Sequence, residues 1–181
     1  MKSIKKIVAI LFSSINIEKK KIQIGKNTRI SKTAKIEIKF GGEIIIGENC
    51  EILDGVIIYT YGGTIVIGNN CSINPYTIIY GHGGTSIGND VLIAGHCMII
   101  PNEHIYKKTD LTIREQGCIS KGITIEDDVW LGHGVTITDG VTINTGSIIG
   151  AGSVVTKSTN SFTINYGTPS REIKKRNNEL Q

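Results

Sequence analysis

The chain has 181 residues, rich in isoleucine and glycine and poor in proline and aromatics, which is the composition of one domain built from β-strands and turns. Its net charge of +4 is too small and too scattered for a nucleic-acid surface and suits a small anionic ligand. Four cysteines without a C-x-x-C pair exclude the common zinc spacing, and no apolar run reaches the roughly 20 residues of a membrane helix.

Residues 1–21 begin with Lys2, Lys5 and Lys6, followed by an apolar run from Ile7 to Phe12. The run is short, and no small-residue cleavage site follows it. The segment therefore reads as an N-terminal helix or cap that can rest on a membrane surface, not as a signal peptide. A cytoplasmic protein is expected.

From residue 22 onward the chain counts in sixes. Aliphatic residues mark the count at Ile24, Ile30, Ile36; Ile46, Ile52, Ile58; Ile67, Ile73, Ile79; Ile87, Ile93, Ile99; Ile125, Leu131, Ile137; and Ile143, Ile149, Val155. Within a triplet the spacing is always 6, and between triplets it is 10, 9, 8, 26 and 6. Such a period is the signature of a repeat architecture. Three hexads make one turn of a triangular prism, so every insertion emerges at the same edge. That edge is expected to carry the protrusions Phe40–Ile45, Tyr61–Val66 and His82–Ser86, and a long loop over 105–124 with His104 at its root. Long loops in compact domains are usually functional.

The fifth position of each hexad predicts what points inward. One face reads Thr28, Cys50, Cys71, Val91, Val129, Ser147, and the next reads Ala34, Val56, Thr77, Cys97, Val135, Ser153. All are small, as a tight inner corner requires. The third face reads Phe40, Gly62, Gly83, Glu103, Val141, Thr159, so the rule breaks in the coils that carry insertions. Cys50, Cys71 and Cys97 are expected to be buried, reduced and inert. Cys118 falls in the long loop, with no role evident. Thr168-Pro169 predicts a helix start, and a terminal helix over 169–180 would close the last coil.

The pattern [Ile/Leu/Val]-Gly-x-x-[small]-x, taken in threes over residues 22–176, resembles the hexapeptide-repeat acyltransferases. The resemblance implies an all-β fold. A left-handed parallel β-helix of about six triangular coils would span 22–160, with short terminal helices and 161–181 as a C-terminal cap or tail. It also implies a homotrimer with active sites at subunit interfaces, acetyl-CoA as co-substrate, no metal, and direct transfer in a ternary complex.

Within that superfamily the motifs look most like those of galactoside and maltose acetyltransferases, which O-acetylate sugars. Tyr59-Thr60-Tyr61-Gly62, Asn74, His104, Asp128-Val-Trp-Leu-Gly132, Gly150-Ala-Gly-Ser153 with Thr156-Lys157, and Gly167-Thr-Pro-Ser-Arg171 carry the match. By this resemblance His104 is the general base, a role that imidazole fills at neutral pH. Thr60, Asn74 and His82 would meet the acceptor. Trp130, the backbone N–H of His133 as oxyanion donor, Ala151, Thr156, Lys157, Arg171 and Lys174 would meet the acyl donor.

Two departures concern the acceptor. His82 replaces a carboxylate that contacts the sugar, and Glu103-His104-Ile105 replaces Gly-His-Pro. The stretch Ile113–Gly117 with Lys121-Gly-Ile looks like acetyltransferases of surface-polysaccharide clusters, so a capsule or O-antigen sugar is the expected acceptor. An amino-sugar N-acetyltransferase or another small-molecule acetyltransferase remains the alternative, and a non-catalytic β-helix scaffold is a distant one. A γ-class carbonic anhydrase would need two histidines five residues apart, a spacing that His82, His96, His104 and His133 do not provide.

Overall fold

A computed structural model describes residues 21–177, so the expected N-terminal helix or cap over 1–21 lies almost wholly outside the described residues. The described chain is a parallel β-helix of about six turns. Coil one holds β1 (Ile22–Ile24), β2 (Arg29–Ile30) and β3 (Lys35–Glu37). Coil two holds β4 (Glu43–Ile46), β5 (Glu51–Ile52) and β6 (Ile57–Tyr59), and coil three β7 (Thr64–Ile67), β8 (Ser72–Ile73) and β9 (Ile78–Tyr80). Coil four holds β10 (Thr85–Ile87), β11 (Leu92–Ile93) and β12 (Met98–Ile99). The loop that follows contains β13 (Glu103–His104), α1 (Ile113–Gln116) and β14 (Cys118–Ile119). Coil five resumes with β15 (Ile123–Ile125), β16 (Trp130–Leu131) and β17 (Thr136–Ile137), and coil six with β18 (Thr142–Ile143), β19 (Ile148–Ile149) and β20 (Val154–Val155). A closing hairpin pairs β21 (Thr163–Gly167) with β22 (Ser170–Lys175).

Three parallel sheets form the faces. The first runs β1-β4-β7-β10-β15-β18, the second β2-β5-β8-β11-β16-β19 and on into the hairpin, and the third β3-β6-β9-β12-β17-β20. Their register pairs mark with mark: Ile46 with Ile67, Ile52 with Ile73, Ile58 with Ile79. From coil two onward every marked aliphatic is buried, and the fifth-slot residues of the first two faces join them. The first coil is less sealed, and Ile24 is half exposed.

The corner between the first and second faces needs a left-handed residue in each coil. Asn27, Asn49, Asn70, Asp90 and Asp128 supply it with φ of 56–58°, a conformation these side chains tolerate better than most. Asn27, Asn49 and Asn70 each donate to the residue one coil on, at 3.2, 3.3 and 3.0 Å.

Two expectations need correction. The insertions are shorter than the hexad count implies, because their second halves are already strand: β4, β7, β10 and β15 start two or three residues before the mark. Ile44, Ile65, Thr85 and Ile123 are buried there, as the two-residue period of a strand demands. Phe40–Gly42, Tyr61–Gly63 and His82–Gly84 are thus tight turns, and the long excursion covers 100–122. Where the sequence predicts a helix from 169 to 180, residues Ser170–Lys175 form β22, and 178–180 lie outside the described residues. Strand β21 extends the second face parallel to β19 and would leave an unpaired edge; β22 turns back at Thr168-Pro169 and covers that edge in antiparallel pairing.

Candidate active site

The long loop is well braced. Its outgoing and returning limbs pair as β13 and β14, with Glu103 opposite Ile119 and His104 opposite Cys118. Thr112 and Glu115 form a capping box at α1. The amide of Gln116 donates to the carbonyls of Lys108 and Leu111 and accepts the N–H of Lys108. Where the loop rejoins the coil, the Asp139 carboxylate accepts the backbone N–H groups of Lys121 and Gly122.

His104 is exposed on this hairpin, with its Nδ1 3.3 Å from Cys118 Sγ. With Tyr106, Lys107, Ile119 and Lys121 it lines a cavity of about 350 Å³. A second cavity, of about 500 Å³, shares Glu103 and Lys121 with the first and runs past Thr136 and Asp139 to Thr156. A third, of about 160 Å³, takes over at Val155 and Lys157 and is closed by Arg171 and Glu172. Ser170 also lines it, and its buried Oγ has no partner among the described residues. The first two cavities thus join along one edge of the prism from His104 to Thr156, and the third, with its two cations, lies beyond them at the coil-six end.

The expected site residues divide among the edges. His82, His104, Thr156 and Lys157 lie along the edge between the third and first faces. Thr60 lies there too but is fully buried, and its Oγ1 accepts the N–H of Lys39 and donates to its carbonyl. Direct contact with an acceptor is therefore closed to it: the hydroxyl fills the coil interior. His82 stacks on Tyr61 at 4.8 Å between ring centroids and also packs against Tyr80. Its Nδ1 is buried without a partner among the described residues, and burial pushes its pKa below the ordinary histidine value.

Asn74 and His133 sit on a different edge, between the second and third faces, and Ala151 follows on the same edge. Asn74 spends its amide donors on the prism itself, on Ser72 Oγ of its own coil at 3.2 Å and Ile93 O of the next coil at 2.9 Å. The ring of His133 meets His96 edge-on at 5.1 Å, and His96 in turn stacks on Tyr76. Trp130 is not at an edge: it stands half exposed on the outside of the second face, beside Leu92. Lys174 is exposed on β22, opposite Ile164. One chain alone therefore does not gather His104 with Asn74, Trp130, His133 and Ala151. Asp139 carries no motif signal, and the sequence places Cys118 in the loop without its contact to His104. Only a hairpin register, which the six-residue count does not supply, places Cys118 opposite His104.

The buried cysteines behave as expected. Cys50, Cys71 and Cys97 are free thiols, each donating to a glycine carbonyl of the next coil, and burial pushes Cys71 up to about 12. Among the described residues no group of three or more metal-binding side chains gathers, and no helix is long and apolar enough to cross a membrane.

The fold and its row of edge cavities define a hexapeptide-repeat β-helix. Residues 122–157 match the bacterial transferase hexapeptide family, in keeping with the six-residue repeat of the sequence. Among solved structures the chain is similar to an alanine-for-serine mutant of AntD, an N-acyltransferase from Bacillus cereus, in complex with dTDP-4-amino-4,6-dideoxyglucose and coenzyme A. That likeness has 28% identity over 86% of this chain and 84% of that one, with a TM-score of 0.75. A hexapeptide-repeat-containing acetyltransferase from Vibrio cholerae gives 27% identity over 86% and 74%, with a TM-score of 0.54. A probable acetyltransferase of Mycobacterium tuberculosis is 29% identical over 91 residues, 50% of this chain. The chain spans only 30% of that relative's length.

Proposed function

We propose that the protein is an acyl-CoA-dependent acyltransferase that moves an acetyl group from acetyl-CoA to a sugar hydroxyl, with His104 as general base. The row of cavities from His104 to Lys157 and Arg171 carries this reading. It offers an imidazole at one end and cations for the phosphates of CoA at the other. The solved structures of AntD with coenzyme A or 3-hydroxybutyryl-CoA support the same donor class. His104 takes the hydroxyl proton as the oxygen attacks the thioester carbonyl, and the tetrahedral oxyanion is met by the backbone N–H of His133. Its collapse breaks the C–S bond and expels the CoA thiolate, which takes the proton from His104. The sugar belongs to a surface polysaccharide, capsule or O-antigen, and the enzyme works in the cytoplasm.

The assembly is a homotrimer packed through the third face. This face lies between the edge that bears His104 and the edge that bears Asn74, His133 and Ala151. Threefold packing through it sets one copy's His104 edge against the other edge of its neighbour and completes the site. The outward residues of the face, Ile57, Ile78, Met98, Thr136 and Val154, form a mostly apolar ladder suited to burial.

A second reading, transfer to an amine, is favoured by the likeness to AntD in complex with a 4-amino sugar nucleotide. The deciding experiment titrates the protein with acetyl-CoA, then offers matched hydroxyl and amino sugars, free and as nucleotides. Turnover with hydroxyl acceptors alone supports O-acetylation, and turnover with the amine alone replaces it. Absence of acetyl-CoA binding sinks both. His104→Ala should bind acetyl-CoA normally and lose about 10²–10⁴-fold in kcat.

A further inference from the structure

We propose that Cys118 is a positioning residue that holds His104 in the tautomer with its proton on Nδ1. The inference rests on the acyl-transfer reading above. Neutral imidazole carries one proton, on either Nδ1 or Nε2. A histidine that accepts a hydroxyl proton through Nε2 must keep its own proton on Nδ1. The partner of Nδ1 therefore decides whether the ring can act as a base.

In this hairpin the partner is Cys118 Sγ, 3.3 Å from Nδ1. The contact is built into the backbone. His104 and Cys118 face each other across the β13–β14 ladder, where opposed side chains project from the same face. The N–H of Ile105 donates to Gly117 O at 3.0 Å, and Ser120 Oγ donates to Asn102 Oδ1, so the ladder is pinned on both sides of the pair. Sulfur accepts from Nδ1–H, which leaves Nε2 free to take the proton. The reverse arrangement, S–H donating to Nδ1, would place the ring proton on Nε2 and remove the base. The loop's capping box and the Gln116 contacts then gain a purpose: they keep the register that sets the tautomer.

The test compares the wild type with Cys118→Ala and Cys118→Ser, by nitrogen-15 NMR of the His104 ring and by steady-state kinetics with acetyl-CoA. The wild type and C118S, which keeps an acceptor in place, should show the Nδ1–H form and similar kcat. C118A should move toward Nε2–H and lose on the order of 10–100-fold in kcat, as when a group orienting a working imidazole is removed, with the KM for acetyl-CoA unchanged. An unchanged ring spectrum in C118A, or an Nε2–H ring in the wild type, overturns the inference. So does an acetylated Cys118 seen by mass spectrometry together with an inactive C118S, which would make the thiol a covalent carrier. The base assignment fails separately, if His104→Ala turns over at the wild-type rate.

Discussion

Asp139 holds the backbone N–H of Lys121 with both carboxylate oxygens, at 2.8 and 2.9 Å, and takes the N–H of Gly122 as well at 3.0 Å. A side chain of coil five thus fixes the point where the His104 loop returns to the prism. Hydrogen bonds to a charged group are worth about 1.5–3 kcal/mol. Asp139→Ala should lower stability by an amount of that order, speed amide exchange over 103–122 selectively, and reduce kcat. Uniform faster exchange across the coils would show that Asp139 serves the whole fold and not the loop.

His82 gives the molecule an acid-sensitive point. Its pKa is lowered by burial, so the folded state disfavours the charged ring. Between the unfolded value near 6.5 and the lower folded value, the unfolded chain binds more protons, and stability falls as pH falls. His82→Phe keeps an aromatic ring against Tyr61 and Tyr80 and removes the buried Nδ1, which has no partner among the described residues. An unpartnered buried nitrogen costs about 1–3 kcal/mol, so Tm should rise at pH 8 and rise further at pH 5.5. A variant with the same slope of Tm against pH as wild type would place the acid sensitivity elsewhere.

The coil was legible because its demand is local and repeated. Each corner needs an inward aliphatic such as Ile52 or Ile73, so a count of six recovers the faces and the inward Cys50, Cys71 and Cys97. The edge with the insertions was equally readable. Its details were not, since the strands at Ile44 and Ile123 begin before the mark that the count uses. Pro169 carried a helix signal that lost to a tertiary need, the exposed edge of β21. His104, Lys157 and Arg171, singled out by motif, line surface cavities, while Thr60 matched its motif but turns its hydroxyl inward. The partnership of His104 with Cys118 depends on one hairpin register, for which a single chain offers no period to count.

Gly68 shows why glycine follows so many of the marks. A Cβ there would come within 2.5 Å of Gly88 O and 2.7 Å of its carbonyl carbon in the next coil. Backbone cannot yield as a flexible side chain can, so Gly68→Ala must push two coils apart. The expected cost is about 1–3 kcal/mol, as for other overpacked sites, read as a lower midpoint of denaturant unfolding. A wild-type midpoint would mean that the stack expands freely at this corner.

Met98 stands 39% exposed on the third face, and Leu92 52% exposed on the second. If the third face is buried between copies, Met98→Glu places a charge in the interface and should yield monomers by light scattering. Activity should fall with it, because His104 then loses the neighbour's edge. Leu92→Glu, a comparable charge on the other face, should leave the assembly intact. The opposite pattern would move the interface to the second face, beside Trp130.

Lys157 and Arg171 line one small cavity with the Ser170 hydroxyl, which has no partner among the described residues, and with Glu172, whose carboxylate accepts from Asn160; the two cations suit a phosphate. Removing one charge-assisted contact costs about 1.5–3 kcal/mol, which corresponds to roughly 10–150-fold in affinity. Arg171→Ala and Lys157→Ala should therefore weaken acetyl-CoA binding within that range, with kcat at saturation little changed. S-acetyl-pantetheine carries the same thioester without the phosphates, and both variants should turn it over as the wild type does. If the variants lose as much with that short donor as with acetyl-CoA, the two cations act on the reacting end and the row of cavities is occupied in the other direction.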